Sequence, residues 1–154
     1  MRRRPRNDAV NFTIEPATPD VLAEVATWVY GPPYEFYDRD TDGHVKNPER
    51  FFAARDQEGA LVGFFYFEEQ GEWLEYGLGL RPDLTGRGLG LQFVEAGREF
   101  GRGRFRPDRV KLNVAAFNER ARIVYERAGF HVVGSHIRRL DRWGDVEFIE
   151  MEEA

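Results

Sequence analysis

Leu80-Arg81-Pro82-Asp83-Leu84-Thr85-Gly86-Arg87-Gly88-Leu89-Gly90 is the stretch on which the reading of this chain turns. Before it, Trp73 to Leu80 has the look of a strand. After it, Leu89, Phe93, Val94, Ala96, Gly97 and Phe100 recur at the helical period, so the stretch joins a strand to a helix. Alternating glycines at a helix start remove Cβ atoms where an anion would approach the main chain. The unpaired amides and the helix dipole add partial positive charge there. A phosphate site is therefore expected over Thr85, Gly86, Arg87, Gly88, Leu89 and Gly90, with Arg87 able to add a charge-assisted bond. Two nucleotide readings fail. A P-loop needs Lys followed by Ser or Thr after its last glycine, and Leu91-Gln92 follows Gly90. The dinucleotide fingerprint G-x-G-x-x-G fails because the third glycine arrives one residue early. A glycine-rich turn that binds nothing is the plain alternative.

Asn11 to Glu15 reads as a first strand, and Thr18-Pro19-Asp20 opens a helix carrying Val21, Leu22, Val25, Trp28 and Val29. Residues 31 to 50 are irregular, broken by Gly31-Pro32-Pro33 and Asp42-Gly43. Phe51 to Arg55 and Ala60 to Glu68 flank Asp56-Gln57-Glu58-Gly59 as a hairpin, and Gln70-Gly71 turns the chain into Trp73 to Leu80. Past the glycine stretch come a helix over Gly88 to Gly101 and a strand over Val110 to Ala115. Asn118 then caps a helix that Gly129 ends. His131 to Arg139 and Val146 to Glu152 close the chain around Trp143-Gly144-Asp145. The expected class is mixed α/β: antiparallel N-terminal strands, a central strand-helix-strand crossover over 73–115, and a C-terminal hairpin. One domain over 10–154 is expected behind a basic tail at 1–9.

At 154 residues, 42% apolar, the chain is long enough to bury a core without staples. The absence of Cys excludes a disulfide scaffold, a Cys-ligated metal and a thiol nucleophile, and no metal is expected. A net charge of −5 argues against a nucleic-acid binder. No run approaches the roughly 18 apolar residues of a membrane span. No apolar segment follows Met1-Arg2-Arg3-Arg4-Pro5-Arg6, so a soluble cytoplasmic protein without a membrane partner is expected. Arg98, Arg102, Arg104, Arg106 and Arg109 form a second basic stretch, either a solvated helix end or a positive field for a phosphate-bearing ligand.

Downstream, Asn113 lies on the short strand, Asn118 caps the next helix, and Tyr125, seven residues on, shares its face. Singly, these are a helix cap and a core aromatic. In combination with the glycine stretch they resemble the GNAT family of N-acetyltransferases. Thr85-Gly86-Arg87-Gly88-Leu89-Gly90 is similar to the family's acetyl-CoA motif, Q/R-x-x-G-x-G/A, with Thr85 in place of Gln or Arg. Asn118 to Phe130 is similar to its N-x-x-A-x-x-x-Y-x-x-x-G-F signature. Within the family the likeness is loosely to the ribosomal-protein-alanine acetyltransferase type. That type has a glutamate base where this chain has Asn113, and an amide cannot remove a proton.

The resemblance implies a sheet that splays between the strand ending at Leu80 and the strand of Asn113. Acetyl-CoA would enter the gap as co-substrate, its pantetheine arm pairing with Leu78, Gly79 and Leu80 and its pyrophosphate on residues 85 to 90. Gly77 and Gly79 suit a bulge or a close backbone approach there. Asn113 and Asn118 would meet the cofactor, and Arg122 an outer phosphate. An amine acceptor, small molecule or protein amine, would attack the thioester directly. A main-chain amide near Leu78 would polarise the carbonyl, Tyr125 would protonate the leaving thiolate, and Glu75 would act as base. Tyr34-Glu35-Phe36-Tyr37-Asp38, His136 and Trp143 are candidates for the acceptor's mouth. A homodimer stays open. The competing reading is a non-catalytic acyl-CoA-binding regulatory module, motivated by Asn113.

Overall fold

The computed structural model describes residues 11–28, 47–140 and 144–153. The readings placed on the basic tail, on 31–46 (which hold Tyr34 to Asp38) and on Trp143 lie outside them. In chain order the elements are β1 (Thr13–Pro16), α1 (Pro19–Ala26), β2 (Phe51–Arg55), β3 (Leu61–Gln70), β4 (Trp73–Leu80), α2 (Gly90–Phe105), β5 (Arg109–Ala115), α3 (Glu119–Arg127), β6 (Phe130–Leu140) and β7 (Gly144–Glu153). They form one seven-stranded sheet in the order β1-β2-β3-β4-β5-β7-β6. The β4–β5 pair is parallel and every other pair antiparallel, which is the mixed α/β class with an antiparallel front half and a crossover.

Local chemistry sets the element ends. Thr18 Oγ1 accepts the Val21 amide at 3.3 Å ahead of Pro19, which starts α1. Asp56 Oδ1 accepts the amides of Glu58 and Ala60 at 3.0 and 2.9 Å, closing the β2–β3 hairpin. Gly129, at φ 101°, ends α3.

One point the sequence left open is decided, one expectation changes, and one is narrowed. The C-terminal strands do pair with each other, but β7 inserts beside β5 and leaves β6 at the edge. Burial explains the choice: Met151 of β7 is fully buried, whereas Val132, Val133 and Ile137 of β6 are exposed. Helix α2 does not stop at Gly101 but runs on to Phe105. A Cβ at Gly101 would stand 2.8 Å from Leu74 Cδ2 and 2.9 Å from Phe67 Cε1, so that glycine serves close packing on the sheet. Strand β4 has no bulge, and its register with β3 runs unbroken from Gln70↔Trp73 to Gly63↔Leu80.

Between the sheet and α2 lies a core of aromatic rings. Phe65 stacks on Phe93 with centroids 4.4 Å apart, and Phe67 stacks on Tyr76 at 5.7 Å. The Tyr76 hydroxyl donates to Val94 O at 2.9 Å, satisfying a buried polar group. Each such apolar side chain contributes about 1.5–3 kcal/mol on burial. The other sheet face is covered by Val21, Val25 and Trp28 packed on Phe51, Leu61 and Phe64. Strand β3 is packed on both faces, by Phe65 and Phe67 in one core and Leu61 and Phe64 in the other.

Candidate functional site

Strands β4 and β5 pair only at Trp73↔Arg109, Leu74↔Val110 and Glu75↔Lys111. Beyond that rung β4 stays with β3 and β5 stays with β7, so the sheet parts. A cleft of about 810 Å³ occupies the opening, with Gly77, Leu78, Gly79 and Leu80 along one side. The Arg81 amide donates to Val62 O at 2.8 Å, which makes Arg81 and Val62 a hydrogen-bonded pair. By alternation Gly79 and Gly77 bond to β3, and Leu78 turns its N–H and C=O toward the cleft. The bond from the Ala116 amide to Glu147 O at 2.9 Å likewise turns the main chain of Asn113 to the opening.

At the top of the cleft sits the glycine turn. Gly86 and Gly88 have φ 75° and 81°, a region L side chains rarely adopt. Leu89 occupies the N-cap of α2 and makes no side-chain cap bond to the first-turn amides. Thr85 Oγ1 donates to Pro82 O at 2.8 Å, bracing the turn rather than reaching for an anion. Arg81 bonds both Asp83 carboxylate oxygens and Leu61 O, fixing the approach to the turn. That hydrogen bond holds the Asp83 carboxyl below the usual carboxylate range. Thr85, Gly86, Gly88 and Gly90 line the cleft; Arg87 and Leu89 do not.

From α3 come Asn118 and Tyr125, both lining the same cleft. Asn118 Oδ1 accepts the Ala121 amide at 3.1 Å, so it is the helix cap the sequence indicated. Tyr125 is buried, edge-on to Phe130 at 6.5 Å. Arg122 is engaged with Glu119 at 3.0 Å and Glu126 at 3.6 Å and does not line the cleft. Sequence reading missed Arg120 and Arg127, which do. An ideal Cβ on Gly86 would stand 3.9 Å from Arg120 Nη1, so a cation borders the glycine turn. The available signal was helical: Arg120 and Arg127 sit seven apart, as Asn118 and Tyr125 do.

Glu75 stands on the last rung before the strands part. Its Oε1 accepts from Gln70 Nε2 at 2.9 Å and its Oε2 from Asn113 Nδ2 at 2.8 Å, with Arg138 Nη2 at 4.0 Å. Glu75 does not itself line the cleft, but Asn113 and Arg138 do. The Asn113 side chain, expected beside the cofactor, thus has its amide nitrogen committed to Glu75, while its Oδ1 is buried without a hydrogen-bond partner. Arg138 lies over the Phe148 ring at 4.9 Å and donates to His136 Nε2 at 3.0 Å. Trp28, Phe51, Phe64 and Tyr66 form the facing wall, none of them singled out beforehand except Trp28 as a helix residue.

The sequence profile described as the Acetyltransferase (GNAT) family matches residues 16–130. The chain belongs to the GNAT family. A mycothiol acetyltransferase of Propionibacterium freudenreichii is 36% identical to this GNAT protein over 102 residues, covering 59% of this chain and 30% of that one. Another, from Clavibacter michiganensis, is 39% identical over 85 residues, 54% of this chain and 28% of that one. The chain thus spans less than a third of the length of these curated relatives. Among solved structures, a spermidine N-acetyltransferase chimera from Vibrio cholerae and hSSAT superposes with TM-score 0.71 at 18% identity, covering 92% and 94% of the two chains. That likeness shows that this GNAT protein has the family's fold. Among the described residues no His, Asp or Glu group could hold a metal, and no helix is long and apolar enough to cross a membrane.

Proposed function

We propose that this GNAT protein moves an acetyl group from acetyl-CoA to a primary amine by direct attack. The observation that carries the reading is a single cleft in which glycine-freed amides at an uncapped helix start meet the open edge of β4. Acetyl-CoA supplies the activated thioester. The amides of residues 85 to 90 take its pyrophosphate, and the main chain of Leu78 to Leu80 pairs with its pantetheine arm. Asn118 adds a contact from α3, and Arg120 and Arg127 are better placed than Arg122 for outer phosphates. The Leu78 N–H polarises the thioester carbonyl. Tyr125 donates the proton that the leaving thiolate needs, and Glu75, held by Gln70 and Asn113, takes the amine's proton through water.

The relatives named for acetylating mycothiol or spermidine support acetyl transfer as the class of reaction. A broad amine screen with acetyl-CoA, read as coenzyme A release, tests the reading. Release with at least one primary amine is expected. Binding of acetyl-CoA with no release from any amine would replace it with the non-catalytic acyl-CoA-binding module, which the amide at position 113 favours.

A further inference from the structure

We infer that Arg138 is an anion clamp in the cleft and that the acceptor is an amine carrying a carboxylate. This deepens the acetyltransferase reading above and rests on it. Among the described residues, the charged side chains that line the cleft are Arg120, Arg127 and Arg138, and no Asp or Glu does. Arg120 and Arg127 come from α3, and Arg120 borders the glycine turn, where the cofactor's phosphates belong. Arg138 stands at the other end. Its guanidinium is 4.0 Å from Glu75, on the last paired rung, and Leu80 is five residues further, about 16 Å along β4. One cation of the cleft is thus left over from the phosphates.

Its surroundings hold the guanidinium without using it up. Arg138 leans from β6 across β7, its Cζ 4.9 Å from the centroid of the Phe148 ring. Nε donates to His136 Nε2 at 3.0 Å, and His136 itself stacks on Phe148 at 6.0 Å. Ring and imidazole together fix the plane of the fork. Its two terminal nitrogens have no hydrogen-bond acceptor among the described residues, since Glu75 Oε2 at 4.0 Å is too far. The Glu75 oxygens already accept from Gln70 and Asn113. With nearly half of its side chain exposed, Arg138 offers parallel N–H groups to a planar carboxylate. The negative Glu75 behind it favours a cationic nitrogen beside that carboxylate, so the two charges complement a zwitterion. A polycation meets the wrong sign at Arg138.

The test compares wild type with Arg138→Gln and Arg138→Lys. It measures kcat/KM for glycine, phenylalanine and γ-aminobutyrate, each beside its own primary amide, and for spermidine and phosphoethanolamine. For at least one pair the acid-to-amide ratio should fall about tenfold or more in Arg138→Gln, mainly through KM. Arg138→Lys should lower it less, because it keeps the charge without the fork. Acetyl-CoA Kd should stay within about twofold, with no fall in Tm. A parallel loss on acids and amides would mean that Arg138 acts only through Glu75, and would overturn the clamp. So would an unchanged ratio, or a wild type that acetylates spermidine or phosphoethanolamine in preference to every acid. If wild type binds acetyl-CoA but acetylates no amine, the acetyltransferase reading falls instead. Calorimetric titration of the same acids then judges the clamp: binding lost in Arg138→Gln supports it, and equal or absent binding in both proteins overturns it.

Discussion

On one side the cleft presents main chain: the turn at Gly86 and Gly88, the uncapped start of α2, and the N–H and C=O of Leu78 on the parted edge of β4. On its other side it presents side chains: Asn113, Arg138 and Tyr66 from three strands, with Glu75 behind them bonding Asn113 and drawing Arg138. The first limb suits a ligand common to a whole family, because amides recognise phosphate and peptide whatever side chains surround them. The second suits a ligand particular to one protein, since any of its members can change without disturbing the backbone. General affinity and particular selectivity are thus separated across a gap one strand wide.

The most severe way to break the main-chain limb is Gly88→Val, which puts a β-branched residue at φ 81° and is expected to weaken acetyl-CoA binding about a hundredfold by calorimetry. Retained affinity would remove the turn from the cofactor site. Next comes Gly97→Ala, which attacks the docking of α2 itself. Its Cβ would stand 2.3 Å from Phe65 Cε1, and that ring is pinned by its stack on Phe93. A loss of about 2 kcal/mol is expected in denaturant unfolding, and cofactor affinity should weaken with it because the turn rides on this helix. Tyr125→Phe probes the meeting of the limbs, with kcat expected to fall about tenfold and acetyl-CoA Kd unchanged. Unaltered turnover would leave the leaving thiolate to another donor.

The smallest effect belongs to Tyr76, on β4 just past the last paired rung. Tyr76→Phe removes the hydroxyl's bond to Val94 O and should cost about 1 kcal/mol. Burial pushes this phenol well above its ordinary value, so its folded form resists ionisation. The associated stability is complete below the unfolded value of about 10 and declines as pH rises past it, because only the unfolded chain ionises there. Thermal melts from about pH 8 to 11 should show wild type losing stability at the alkaline end and Tyr76→Phe losing less. Equal alkaline slopes would mean the phenol is not sealed at the parting of the strands.

Legibility followed the same division. Trp73 to Leu80, the Thr18 cap, the Asp56 to Gly59 hairpin and the Gly129 stop were readable because each rests on contacts within a few residues. The place of β7 beside β5 was not, because two exposed or half-buried strands compete for one edge and only total burial decides. Gly101 read as a helix end and proved to be a packing glycine; of the bulge or close approach that Gly77 and Gly79 suggested, the strand has no bulge, and Gly79 makes the close approach, to Phe64. A glycine announces a missing Cβ but not what fills the space.

By itself, then, the sequence determined the order of elements and the main-chain cradle, since φ preference, capping and helix start are local properties. It also determined membership of the family, through two motifs whose residues lie close along the chain. Only the tertiary structure decided that Asn113 turns its amide to Glu75, that Arg120 and not Arg122 borders the glycine turn, and that Gly77 faces open space. Those facts depend on how far apart β4 and β5 stand once pairing stops after Glu75↔Lys111. That parting brings side chains distant along the chain to one cleft, which no local pattern of residues encodes.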